Sequence, residues 1–229
     1  MLKEFLMASA LAAAFVGADS AIADSNIAIV PRIDTRGLGA DIVVKATDKL
    51  NFRAGVKAFS FSRDDTASGI DYQMKAKLLS GGAYLDWHPS GKSFRVSVGG
   101  VINGNEVTAV NKPAQSFNVG AHTYLASEIG ELNGTLKTNK FAPYLGIGWG
   151  NAVSGDKRVK LLFDLGVMYH GTPDATLEAN LPTDSPLRSN PVLHDQFMAD
   201  LEQERSDFQD DANSYKFYPV ISVGLAIRF

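Results

Sequence analysis

Residues 215–229 read Tyr-Lys-Phe-Tyr-Pro-Val-Ile-Ser-Val-Gly-Leu-Ala-Ile-Arg-Phe. Counting back from Phe229, the residues Ile227, Leu225, Val223 and Ile221 are apolar. Arg228, Ala226, Gly224 and Ser222 between them are small or polar. A period of two is the signature of a strand with one greasy and one wettable face. In a soluble sheet the greasy face is covered by more protein. In a barrel set in a bilayer it meets lipid, and an aromatic side chain sits at the interface. The rest of the chain decides between the two.

The same alternation recurs upstream. Val159, Leu161, Phe163, Leu165, Val167 and Tyr169 give its cleanest run, against Lys160, Leu162, Asp164, Gly166, Met168 and His170. Leu38 to Val44, Leu50 to Ala58, Phe94 to Gly100 and Ala142 to Gly150 repeat it. Ile27 to Val30 opens a first strand that Pro31 interrupts, as proline does at an edge or strand end. Phe59 and Phe61 fall out of phase, which predicts a bulge or inward aromatics above the membrane. From Ile70 to Trp87 the apolar residues are first Tyr72, Met74, Ala76 and Leu78, against Lys75 and Lys77. They are then Ala83, Leu85 and Trp87, so a second bulge is expected near Ser80-Gly81-Gly82.

The connections carry a parity. Short polar turns follow Val44, Trp87 and Gly150, and long stretches follow Phe61, Ile102 and His170. Bacterial barrels have short turns on the periplasmic side and long loops outside. Phe229 then lies on the periplasmic side, and the count is about eight strands. Ser62 to Gly69 reads as a polar loop. The stretch from Asn103 to about Thr138 reads as an irregular outer segment with short elements at 116–125 and 126–132. Gly171 to Ser214 is the longest loop. Within it, Leu193, Phe197 and Leu201 recur every four residues, with Asn190 as N-cap and Pro191 at the first helical position. A helix over about 191–210 is predicted, packed on a loop or the barrel rim because its apolar stripe is narrow.

The N-terminus fits export. Lys3 precedes an apolar run from Phe5 to Gly17, and Ala21-Ile22-Ala23 has the small-x-small form of a cleavage site. The run is too short for a spanning helix, which needs about 20 apolar residues. Residues 1–23 are assigned as a signal peptide and 24–229 as the barrel. The net charge of −3 becomes smaller still without Lys3, Glu4 and Asp19, so no polyanion partner is implied and no nucleic-acid motif is found. The absence of cysteine excludes disulfides and thiolate metal sites.

Several segments resemble a family of small proteobacterial outer-membrane β-barrels with no assigned reaction. They are Gly37-Leu38-Gly39-Ala40, Asp86-Trp87-His88-Pro89, Asn103-Gly104-Asn105, Ala142 through Asn151, and Tyr218-Pro219 through Arg228-Phe229. More generally the chain resembles the transmembrane barrel part of OmpA-like proteins, without a periplasmic domain after it. Its end, with Ile221, Val223, Leu225, Ile227 and Phe229 in one phase, resembles the C-terminal signal read by the bacterial barrel-assembly machinery. The resemblance implies an antiparallel transmembrane β-barrel in the outer membrane, in contact with outer-membrane lipid and lipopolysaccharide. A monomer is expected.

Residues in phase with Arg228 should face the lumen: Asp41, Lys45, Arg53, Lys57, Lys75, Lys77, Asp86, Arg95, Lys160 and Asp164. Charges of both signs in a narrow interior must pair or be hydrated. One reading is a structural ion-pair network filling the barrel. A second is a thin polar path for ions or small solutes. Gly146 and Gly148 on the inner face would leave room for Arg95, or would leave a gap. Tyr84, Trp87, Trp149 and Tyr169 are expected to anchor the barrel at its two interfaces. A lipid-modifying enzyme is the third class, and its candidates are His122, His170, Ser116 and Ser127. No spacing makes them a catalytic pair, and His194 with the acidic residues nearby matches no metal pattern. Neither catalysis nor a cofactor or metal is assigned. The expected role is structural or interaction-based, at the cell surface.

Overall fold

The strand that ends the chain closes a sheet on itself. The computed structural model describes residues 26–67, 70–111 and 116–229. In chain order the strands are β1 (Ile27–Asp34), β2 (Gly37–Lys45), β3 (Leu50–Ala67), β4 (Ile70–Trp87), β5 (Phe94–Asn103), β6 (Glu106–Asn111), β7 (Ser116–Val119) and β8 (His122–Leu125). After the short helix α1 (Ala126–Ile129) come β9 (Glu131–Lys137), β10 (Phe141–Trp149), β11 (Val159–Tyr169) and β12 (Asp174–Asn180). Two helices, α2 (Pro186–Ser189) and α3 (Pro191–Ala212), precede β13 (Phe217–Arg228).

Eight antiparallel strands form the closed ring β1-β2-β3-β4-β5-β10-β11-β13, and β13 pairs back onto β1. The expected first strand therefore forms and is no edge. Pro31 sits in its middle, and the register with β13 runs through Ile29 and Arg32 but omits Val30 and Pro31. A ring nitrogen without hydrogen cannot complete the ladder there. The pairing with β2 holds β1 through that gap.

Exposure alternates along the ring with the sign of an inside-out protein. Ile42, Phe52, Val98, Leu145, Leu161, Ile221, Val223 and Leu225 are exposed, while Asp41, Arg53, Arg95, Asp164 and Ser222 are buried. Within the ring β10 has nine residues and β11 eleven, the length that crosses a bilayer at barrel tilt. Phe229 and the turns at 46–49, 88–93 and 150–158 share one end, here the turn end. The long connections share the other, the loop end.

Neither expected bulge exists. The β3–β4 register is unbroken from Leu50↔Trp87 to Ala67↔Ile70, and β4 keeps one register with β5 and β6. What changes is the environment. Below the rung Ala58↔Leu79 the apolar residues point outward, as Val56 and Leu85 do. Above it they lie on the inward phase, as Phe59, Phe61 and the buried Ala76 do, and Lys75 and Lys77 point out. These two lysines therefore lie outside the lumen set. A strand that passed from lipid into water would have to reverse which face is greasy, and both strands reverse on one rung without slipping.

The polar loop expected at Ser62 to Gly69 is instead strand as far as Ala67. The outer segment is also more regular than expected. Strand β6 pairs with upper β4, β9 with β6, and β12 with β9, so that a sheet rises above the barrel. Strands β7 and β8 form a separate hairpin. The predicted helix is α3, begun where Asn190 Oδ1 accepts from the amides of Val192 (3.0 Å) and Leu193 (3.4 Å). Phe197 and Leu201 of α3 pack with Phe117, Tyr124, Ile129 and Leu187 in a small outer core. The signal-peptide assignment, 1–23, lies outside the described residues.

The polarity reversal makes a quantitative prediction. Leu145→Arg, at the middle of β10 on the outward face, should cost about 2–4 kcal/mol. Ser60→Arg, two rungs above the reversal, should stay within about 0.5 kcal/mol of wild type. Reversible urea unfolding in lipid vesicles, read by tryptophan fluorescence, measures both. Equal costs would put the boundary elsewhere.

Candidate lumen network and outer latch

Of the charged residues expected in the lumen, the barrel brings Asp41, Arg53, Lys57, Asp86, Arg95 and Asp164 together, all buried. Asp86 receives a two-pronged contact from Arg53, Nε to Oδ2 at 2.8 Å and Nη2 to Oδ1 at 3.1 Å, and a bond from Ser97 Oγ at 2.6 Å. Asp41 binds Lys57 and lies 3.4 Å from Arg53 Nη1. Asp164 bridges Arg32 and Arg95. Arg32 Nε is 2.8 Å from Asp41 and its Nη1 donates to Ser222 Oγ at 2.9 Å. Three carboxylates are thus shared among Arg32, Arg53, Arg95 and Lys57. Sharing is what lets charges sit in a narrow interior, because an isolated buried ion is far costlier than a paired one.

The other three lie toward the turn end. Lys45 is partly exposed and pairs with the exposed Asp48 at 2.8 Å. Lys160 is partly buried and donates to the Asn151 carbonyl at 3.2 Å. Arg228 is buried.

Sequence reading missed Arg32, Asp34 and Arg36. The first two stand on the inward phase of β1, beside outward Ile27 and Ile33. Arg36 comes from the two-residue turn after β1, and its side chain folds back into the barrel. Its Nη2 meets Asp34 at 2.6 Å and its Nη1 donates to the Tyr84 hydroxyl at 2.8 Å. Tyr84 corrects another expectation: it is no interfacial anchor. It is 3 % exposed, lies in phase with Asp86, and carries the Arg53 guanidinium 4.1 Å above its ring. Trp87 and Trp149 are exposed at the turn end, where Trp149 meets Phe94 and Phe163 at 5.9 and 6.1 Å. Tyr169 is exposed at the loop end against Phe217. Ile221, Val223 and Leu225 are exposed along β13, and Ile227 and Phe229 are partly so.

Glycines make the network fit. A Cβ on Gly148 would meet Arg95 and Asp164, and one on Gly55 would strike Asp41. Side chains at Gly82 or Gly99 would occupy the place of Tyr84, and at Gly146 or Gly166 that of the Tyr144 hydroxyl. The space left by Gly146 and Gly148 is filled by large neighbours.

Two further layers flank the charges. Toward the loop end, Tyr84, Tyr144, Met168, Val101 and Val220 pack together, with the two tyrosine rings edge to face at 5.1 Å. Toward the turn end, the β10–β11 turn tucks inward. Ala152 and Val153 pack with Ala28, Val30, Val43, Leu162 and Ala226. Asn151 accepts from Asn51 at 3.1 Å, and Asn51 meets His88 at 3.1 Å.

Above the barrel, Asp200 of α3 fastens the β7–β8 hairpin. Its carboxylate accepts from the Tyr124 hydroxyl, lies 2.7 Å from His122 Nδ1, and accepts from the Ala121 amide at 3.4 Å. The Tyr124 hydrogen bond, then the His122 contact, hold the Asp200 carboxyl below the usual carboxylate range. Burial and that same bond push the Tyr124 phenol up. The contact thus ties His122 to a fastening carboxylate, and His170 lies apart, buried near Tyr218.

Asp164→Asn leaves Arg32 and Arg95 facing each other without their shared anion, and should cost about 3–5 kcal/mol, against under about 1 kcal/mol for the exposed-pair variant Lys45→Gln. Urea unfolding in vesicles compares them. A carboxyl whose pKa is lowered by folding adds stability above its unfolded pKa and loses it as pH falls. The β7–β8 hairpin should therefore become more sensitive to limited proteolysis as pH drops through and below the ordinary carboxylate range. Asp200→Asn should bring that sensitivity to neutral pH.

No protein-family model matches the chain, and no curated protein does. Among solved structures, the crystal structure of Acinetobacter baumannii CarO2 is similar over 90 % of this chain and 99 % of its own, with a TM-score of 0.59 and 20 % identity. The crystal structure of Acinetobacter baumannii CarO is similar over 90 % and 98 %, with a TM-score of 0.53 and 20 % identity. At that identity the likeness is one of fold, and it agrees with the resemblance to small outer-membrane barrels drawn from the sequence.

Proposed function

We propose that the chain is exported with cleavage after Ala23, is inserted by the barrel-assembly machinery, and stands as a monomer in the bacterial outer membrane. There it is a sealed scaffold that presents its raised sheet and α3 at the cell surface, against lipid and lipopolysaccharide. The exposed apolar belt and the barrel fold shared with CarO and CarO2 support the membrane placement. The signal-like N-terminus and the terminal strand support the export route.

The observation that carries the scaffold reading is the three-layer filling of the lumen. A conducting path must pass tyrosines, then shared ion pairs, then the inward-tucked Ala152 and Val153. Each layer is built from side chains that already hold one another. The enzyme reading draws less support, because His122 is held by a carboxylate that also bonds Tyr124 and the hairpin backbone. That arrangement serves attachment and aims at no nucleophile. Planar-bilayer recording tests the choice between scaffold and channel. The wild type should give no discrete steps at 100 mM salt, whereas reproducible steps that change on Asp164→Asn would establish the channel instead.

A further inference from the structure

At the turn end, the side of the barrel opens into a cleft of about 370 Å3. Lys92 and Ser93 from the β4–β5 turn form one wall. Ser154 and Lys157 from the β10–β11 turn form another, and Lys160 and Leu161 of β11 complete it. Lys92 and Lys157 are exposed, and Lys160 spends one donor on the Asn151 carbonyl. An ammonium has three donors, so hydrogen-bonding capacity remains. The acidic residue of the 150–158 turn is Asp156, beside three basic residues there and next in β11: Lys157, Arg158 and Lys160.

The cleft's position matters more than its charge. Leu161, one of its lining residues, is 69 % exposed on the outward, lipid-facing row. Ser93 and Gly150, joined by a 2.9 Å backbone bond, are each one residue from Phe94 and Trp149 of the aromatic cluster that includes Phe163. Moving away from the membrane centre, one therefore meets an aliphatic and aromatic wall and then a cationic recess. A two-tailed lipid with an anionic head has the same order of parts, and each lysine near such a head is worth about 1 kcal/mol.

We propose that this cleft is a binding site for the phosphate head of an anionic phospholipid in the leaflet at the turn end, with its chains laid on Leu161, Phe163 and Trp149. The proposal rests on the membrane placement above. It assigns the β10–β11 turn a second task beyond plugging the lumen.

Native mass spectrometry of the folded chain in detergent, titrated with phosphatidylglycerol, tests it. One lipid should be retained, and Lys92→Gln/Lys157→Gln should weaken its retention about thirtyfold. Lys49→Gln, which removes an exposed lysine from the neighbouring turn at the same end, should leave retention unchanged. Phosphatidylcholine should be held more weakly than phosphatidylglycerol. An equal loss with Lys49→Gln, or equal retention of the two lipids, would overturn the site. Inorganic phosphate titrated alone separates the sources: occupancy by phosphate that the double variant abolishes, with no lipid retained, would also overturn it. All variants should insert into vesicles and keep heat-modifiable migration. A wild type that failed to insert would defeat the membrane placement itself, whereas insertion without selective retention defeats this proposal alone.

Discussion

A backbone amide in hydrocarbon has nothing to bond except another backbone group. Strands can cross a bilayer only if the last of them finds the first. Here that meeting is the β1–β13 ladder, and it is the imperfect joint of the ring, because Pro31 brings no hydrogen to it. Closure is kept because the joint spreads over both ends of β1, from Ala28↔Arg228 to Asp34↔Ser222, and because β2 pairs with β1 along its whole length. Once the ring is closed, the remaining features follow. In lipid, outward side chains must be apolar, inward ones share a narrow eight-strand tube that side chains can fill, and anything beyond the lipid returns to ordinary soluble-protein rules.

The filling of that tube shows how size and charge were solved together. Arginines are long, and three of them converge with Lys57 on three carboxylates. Such convergence requires facing positions with no side chain at all, which is why Gly55 and Gly148 stand opposite the ion pairs and Gly82, Gly99, Gly146 and Gly166 stand around the tyrosines. The planar guanidinium suits this, since Arg53 grips Asp86 with two nitrogens while its face rests on Tyr84. A lysine there would keep the charge and lose both the fork and the stacking.

Much of this was legible in the sequence, and the failures share a cause. Period two identified the ring strands, since an inward or outward position is a local property of a strand. The parity of turns oriented them, and Asn190-Pro191 marked the start of α3. Arg32 and Asp34 were missed because Pro31 cast doubt on the only strand that could carry them, and Arg36 because a turn residue has no phase. Tyr84 was misassigned by residue type, although its parity with Asp86 pointed inward. Strands β6, β9 and β12 were missed for a different reason. Asp174–Asn180 does alternate, with Ala175, Leu177 and Ala179 between polar residues, but it lies between Pro173 and Pro182 in a stretch that reads as loop, and Glu106–Asn111 is short; each finds its partner because upper β4 offers β6 an open edge, and β6 and β9 offer the next.

The absent bulge near Ser80-Gly81-Gly82 is the most instructive error, whereas Phe59 and Phe61 follow the other reading, inward aromatics. A change of hydrophobic phase is a slip in register only if phase measures strand geometry alone. Phase in fact reports the product of geometry and solvent. Across Ala58↔Leu79 the geometry is constant and the solvent changes, so the phase inverts on two paired strands at one rung. A true bulge would act on one strand and leave its partner in register. Simultaneous inversion on both partners is therefore a mark of the lipid boundary that can be read without any knowledge of the membrane. Here it falls where β2 ends beside β3, at Leu38↔Ala58, the level at which the ring gives way to the raised sheet. The boundary given by hydrophobic phase and the boundary given by strand pairing coincide, and they rest on different physics: one on the transfer of side chains out of water, the other on the need to leave no amide unpaired in lipid.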